Sequence, residues 1–261
     1  LKSYDEQYDE LIKALQEINT YIFTKETLLA SFTGSVEDYQ EFEEALSNFI
    51  EKLGHKEEVK DPFKFIPNQK NEGFCAPYDV NYVALAGNFK KAGIKYSGAF
   101  MVFQNAVVTS YLWTQIRVLG GAYGCGCNFN PTGDSYFVSY RDPNIERTLQ
   151  QYKDVLKYID DFKATDEEML KYIIGAVGSV DTPLSPYSKG LRSLSKYLTG
   201  QTIEEVKEIK RQIIDATEAD IHAMRKVVEA IIEQNNLCTI GNEKKVQATN
   251  GIFTTKLNLL K

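Results

Sequence analysis

What narrows the folds open to this chain most sharply is an abrupt change of period at Gly120-Gly121. Upstream, Phe100, Met101, Phe103, Val107, Val108, Tyr111, Leu112 and Ile116 recur with helical spacing, so one long helix is expected from Gly98 to Leu119. Downstream, CGCNFNP (125–131) and SYFVSYR (135–141) flank Thr132-Gly133-Asp134, the pattern of an antiparallel hairpin turning near Gly133. A long apolar helix that runs through a glycine break into a hairpin needs a sheet with helices laid against one face.

The other segments extend that scheme. Leu11, Ile12, Leu15, Ile18 and Ile22 mark an entry helix within residues 1–25, and the apolar run after it predicts a buried strand at 27–34. Ser35 with Asp38 starts an amphipathic helix whose stripe, from Val36 to Leu53, stops at Gly54. Residues 54–74 hold Pro62, Pro67 and many charges and read as a surface loop or small insertion. A strand is expected at 79–88. Asp142-Pro143 supplies a cap and a first-turn proline ahead of Ile145, Leu149, Tyr152, Leu156 and Ile159. Thr165 with Glu168, Thr202 with Glu205 and Thr217 with Asp220 resemble capping boxes before helices near 166–178, 203–214 and 218–235. A late strand at 236–241 and a last helix over 243–259 complete the reading. The expected class is α+β in a single domain, 1–261. It has a mostly antiparallel sheet from 27–34, 79–88, 122–130, 134–141 and 236–241, covered by helices on one face, with an added helical layer from the second half.

Composition removes several functions. A net charge of −6 argues against a domain held to nucleic acid or anionic lipid by basic charge. No apolar run approaches the roughly 20 residues of a membrane helix, and residues 1–20 carry no signal-peptide pattern, so a cytoplasmic setting is expected. The chain begins at Leu1 and reads as a piece of a longer polypeptide. Cys75, Cys125, Cys127 and Cys238 are not spaced CxxC and are expected to be reduced thiols. His55 and His222 are the only histidines, fall in no zinc-binding spacing, and are expected at the surface. No serine sits in GxSxG. The glycines of 120–126 follow a helix and precede a strand, the reverse of a phosphate cradle.

Arg117 in the last helical turn and Tyr123 at the start of the next strand remain, six residues apart across the Gly120-Gly121 break. Both side chains can face one cleft, but spacing alone favours the reading in which Arg117 complements the helix C-terminus while Tyr123 packs. RVLGGAYGCG (117–126) resembles the substrate-binding segment in the last domain of pitrilysin/insulysin-type zinc metallopeptidases, in the presequence protease and falcilysin subgroup. LLASFTGS (28–35), VNYVALAGNF (80–89), IIGAVGSVDTPLSPYSKG (173–190) and NLCTIGNEKKV (236–246) resemble that domain in the same order.

The resemblance implies an α/β roll, the fourth and catalytically silent domain of a chamber whose zinc is bound elsewhere by an HxxEH motif that this sequence lacks. It implies zinc in the full-length protein and none here, the N-terminal zinc-binding domains of the parent as partners, and unfolded peptides as substrates. It carries Arg117 and Tyr123 over as the groups offered to the peptide, with Gly120 and Gly121 letting the backbone approach. A silent structural or peptide-binding subunit of the same superfamily is the alternative.

Overall fold

The computed structural model describes residues 4–55, 64 and 71–259. The first described elements are helices α1 (Tyr4–Ile22) and α2 (Val36–Ile50), strands β1 (Glu72–Ala76) and β2 (Asn81–Asn88), helix α3 (Ala99–Val107) with its continuation Val108–Val118, and strands β3 (Gly124–Phe129) and β4 (Asp134–Asp142). Helices α4 (Glu146–Asp160), α5 (Asp166–Val180), α6 (Pro186–Thr199), α7 (Ile203–Ile214) and α8 (Glu218–Gln234) follow, then β5 (Asn236–Asn242), α9 (Glu243–Ala248) and β6 (Thr255–Asn258). The chain falls into two compact units, one of Leu1–Ile66 with Pro183–Gln201 and one of Pro67–Thr182 with Thr202–Lys261.

In the first unit, α2 starts where Ser35 Oγ accepts the Asp38 amide at 3.2 Å. The strand expected at 27–34 is absent. Lys25–Thr27 form a single 3-10 turn, and residues 28–34 run on without a strand partner. Phe32 packs its ring against Tyr39 and Phe42 of α2, with centroids 5.6 and 4.8 Å away. A short apolar run fits a buried strand and a locally packed coil equally well, and here side-chain packing on a neighbouring helix takes it. Helix α6 was not anticipated, although Ser185 caps it and Pro186 occupies its first turn.

The second unit is an open α+β layer structure, its strands ordered β3-β4-β2-β5-β1-β6. The β3–β4, β4–β2 and β2–β5 pairs are antiparallel, while β1 runs parallel to both β5 and β6. Two parts of this sheet depart from the sequence reading. Strand β1 begins inside the 54–74 stretch, where the sequence predicts a loop because five residues beside a proline-rich and charged run show no period; residues 56–63 and 65–70 of that stretch lie outside the described residues. The last helix stops at Ala248, and Gly251 at φ 70 turns the chain so that Thr255–Asn258 joins the sheet instead of continuing a helix to 259.

Helices cover one face of the sheet. In register across it, Gly73, Thr239, Val83, Ser139 and Cys125 share that inner face. Helices α3, α4 and α8 pack there, and α5 and α7 pack on α3 as an outer helical layer. This explains why α3 (AFMVFQNAV) is apolar but for Gln104 and Asn105: it is covered from both sides. A run of rings fills the core, with Phe100, Phe103 and Phe137 each 5.6 to 6.4 Å from Phe129. Tyr152 stacks on Phe137 and donates its buried hydroxyl to the Val83 carbonyl at 3.1 Å, so the only polar atom of that side chain is satisfied. On the outer face Tyr82, Tyr136, Tyr140, Ile240 and Leu257 stand exposed.

Candidate functional site

The helix that presents Arg117 changes type on the way. At Val108 its α-helical bonding gives way to i→i−5 bonding, which continues to Val118 and ends with the Leu119 amide on Thr114 O at 2.9 Å. The change falls where Thr109 Oγ1 and Ser110 Oγ donate back to the carbonyls of Asn105 and Ala106 at 2.7 and 2.6 Å, competing with the backbone for those acceptors. The long helix expected from the sequence is therefore α-helical only to Val107. In the widened part Leu112 and Ile116 remain in the core while Trp113 is exposed and Arg117 half-buried.

Two glycines close the segment. A Cβ on Gly120 would stand 2.3 Å from the Ile116 carbonyl oxygen, and Gly121 sits at φ 79, so both positions demand the residue they have. The carbonyls at the helix end are taken from another element: Arg147 Nη1 donates to Leu119 O at 2.8 Å and Asn144 Nδ2 to Gly120 O at 2.7 Å. Arg117 is thus released from capping. Its guanidinium lies 4.0 Å from the centre of the Trp113 ring and 5.7 Å from that of Tyr123.

Tyr123 is 58% exposed. Its amide donates to Arg141 O at 3.3 Å, its ring lies 5.5 Å from that of Tyr140, and the Arg141 guanidinium lies 5.6 Å from its centre. Gly124 makes room for this cluster, since a Cβ there would stand 2.4 Å from the Tyr140 ring. The structure brings Arg117 and Tyr123 together across Gly120 and Gly121, and adds three residues that the sequence reading had not singled out: Trp113, Tyr140 and Arg141. Trp113 was discoverable as the residue one turn before Arg117; nothing local to the sequence marks Arg141.

Beneath the cluster, Asp142 is fully buried. Its Oδ2 accepts from Ser139 Oγ and Thr148 Oγ1, both at 2.7 Å, and its Oδ1 from the Asn144 amide at 2.8 Å, while its carbonyl accepts from Asn81 Nδ2 at 2.9 Å. It was expected to cap the next helix. Instead α4 begins at Glu146, and Asp142 ties the end of β4 to β2 and α4.

Zinc does not fit this cluster, whose side chains are two guanidinium groups, two phenols and an indole. Among the described residues no group of three or more His, Cys, Asp or Glu side chains is placed to hold a metal ion. His55 pairs with Glu26, and His222 lies 3.6 Å from Glu218. Cys125 and Cys127 lie on the helix-covered face; burial pushes the Cys125 thiol up to about 11, with Asp142 adding to the rise and Arg117 opposing it. A separate cleft of about 740 Å³, lined by Tyr111, Gln151, Tyr158 and Tyr172 among others, includes neither Arg117 nor Tyr123. Among the described residues no helix is long and apolar enough to cross a membrane.

The layer structure is that of pitrilysin-type peptidase domains. It superposes on a protease from Helicobacter pylori with a TM-score of 0.53 at 16% identity, covering 80% of this chain and 53% of that one. On pitrilysin the TM-score is 0.50 at 11% identity, covering 76% of this chain and 22% of that one. Residues 71–243 match the PreP C-terminal domain, and the chain belongs to that family. Protein HypA of Clostridium perfringens is 36% identical over 248 residues, covering 95% of this chain and 26% of that protein. Presequence protease 1 of Arabidopsis thaliana is 26% identical over 256 residues, covering 95% and 23%. The chain thus spans about a quarter of the length of these curated relatives.

Proposed function

We propose that this chain is the non-metal-binding C-terminal domain of a zinc oligopeptidase, closing its peptide chamber and offering Arg117 and Tyr123 to substrate. The observation that carries the reading is the convergence of these two side chains at an exposed position, with Arg117 freed from capping by Arg147 and Asn144. Zinc, held by N-terminal domains of the parent, supplies the hydrolytic chemistry. The part of this chain is to bind and orient. The Tyr123 hydroxyl donates to the oxygen of the scissile carbonyl as negative charge develops on it, and the Arg117 fork grips peptide carbonyls or a carboxylate. Gly120 and Gly121 keep side chains out of the way of the substrate backbone. The substrates are unfolded peptides able to enter a closed chamber.

The test is cleavage of a quenched fluorescent peptide by the full-length parent, comparing wild type with Tyr123→Phe at equal zinc occupancy. Loss of one oxyanion donor costs about 3 kcal/mol, so turnover is expected to fall about 100-fold. Unchanged turnover returns Tyr123 to a packing role, and activity absent from both proteins favours a silent subunit.

A further inference from the structure

We infer that Arg141 is a second, specificity-determining cation of this site, and that with Arg117 it receives a carboxylate of the peptide. The inference rests on the reading of Arg117 and Tyr123 given above, and deepens it.

Arg141 sits at φ 50, in the left-handed region that a bulky side chain rarely enters. Asn235 is the only other non-glycine residue with positive φ among the described residues; it closes α8, where that conformation is ordinary. Arg141 closes no helix. It lies in an irregularity of β4: Val83 faces Ser139 while Asn81 faces Asp142, so three steps on β4 oppose two on β2. A bulge with a left-handed residue ordinarily places glycine there, and bulges re-aim side chains beside binding sites. Here the alternation along β4 breaks, and Tyr140 and Arg141 are exposed in succession. Strain of this kind persists where the surroundings over-determine it. Both flanks do so: the Arg141 carbonyl is bound by the Tyr123 amide, and Asp142 is fixed by Ser139, Thr148, Asn144 and Asn81.

Among the described residues neither Arg117 nor Arg141 forms an ion pair with a carboxylate. Two guanidinium groups without an ion-pair partner therefore meet at one exposed tyrosine ring, above the buried Asp142 carboxylate. Planar forks of donors match a carboxylate, which also relieves their mutual repulsion. In a peptide that group is either the terminal α-carboxylate or an Asp or Glu side chain.

Two pairs of otherwise identical peptides separate these sources in the full-length parent. One pair ends in a free acid or an amide; the other carries Glu or Gln at one internal position. In wild type, kcat/KM is expected to favour the carboxylate about tenfold in at least one pair, and that pair identifies the source. The ratio falls to near one in Arg141→Asn, a residue that tolerates left-handed backbone, and in Arg141→Gly, which also removes the strain. Ratios near one in wild type, or a preference undiminished in both variants, overturn the inference. Tyr123→Phe run in parallel separates it from the reading beneath it. Unchanged turnover in Tyr123→Phe removes both, whereas a large loss there with the preference intact in the Arg141 variants removes this one alone.

Discussion

Tyr123 and Arg141 are joined twice: the Tyr123 amide donates to the Arg141 carbonyl at 3.3 Å, and the Arg141 guanidinium lies 5.6 Å from the Tyr123 ring. The backbone bond fixes where β3 begins relative to the bulge in β4, and the side-chain contact follows from that position. Changes at either residue therefore act on the other.

Arg141→Gly should stabilise the chain. Left-handed backbone costs a residue with a Cβ about 1–2 kcal/mol, and glycine avoids that while loosening the unfolded chain, so a net gain of about 1 kcal/mol is expected. Urea unfolding followed by circular dichroism checks it, and a loss of stability would mean that the guanidinium contact outweighs the strain.

Asp142→Ala should cost about 3 kcal/mol. The substitution leaves the buried hydroxyls of Ser139 and Thr148 without their shared acceptor. The denaturant midpoint falls with its slope unchanged, since no extra surface is exposed.

Gly124→Ala and Gly126→Ala should differ although they lie on one face of one strand. At Gly124 the methyl group meets the Tyr140 ring at 2.4 Å; the ring must move, carrying a cost of about 1–3 kcal/mol and a raised KM for peptide in the parent. At Gly126 no heavy atom lies within 4 Å, and stability is expected to stay within about 0.5 kcal/mol of wild type.

Stability should fall as pH rises from about 9 toward 11. A free thiol titrates near 9.0, whereas burial first and Asp142 second push Cys125 up to about 11 in the fold. Between those values the unfolded chain gives up a proton that the folded chain keeps, so the unfolded state gains with each step of pH. Below that window both states are protonated and the slope from this group vanishes. Urea midpoints at about pH 8 and about pH 10 read the effect, and Cys125→Ala reduces it; an identical slope in that variant would assign the loss to other groups.

Legibility followed the range of the interaction that decides each element. Helices α2, α5, α7 and α8 begin at or next to the expected Ser35, Thr165, Thr202 and Thr217, because a cap is a bond between residues three apart. Strand β1 was hidden because both its neighbours, β5 and β6, come from the far end of the chain and its own five residues carry no period. The run at 28–32 misled because apolar side chains do not declare whether their backbone finds a strand partner. At the site, Arg117, Tyr123 and the two glycines are close in sequence and could be read together, whereas Arg141 joins them only through the register of β3 on β4. The widened helix was equally invisible, since Thr109 and Ser110 in an apolar stripe look like tolerated polar residues until their hydroxyls are seen on the carbonyls of Asn105 and Ala106.

The place of β5 has a consequence for synthesis. It fills the middle of the sheet, between β2 and β1, yet its residues 236–242 follow those of every other strand but β6 and leave a ribosome after them. Until they emerge, β1 has neither neighbour and β2 keeps a bare edge. A chain stopped before Asn236 is therefore not a smaller folded domain but a set of open strand edges, ready to pair with other chains. Assembly of the second unit therefore waits on a strand made after four of the other five, so that a late segment completes the centre of the sheet.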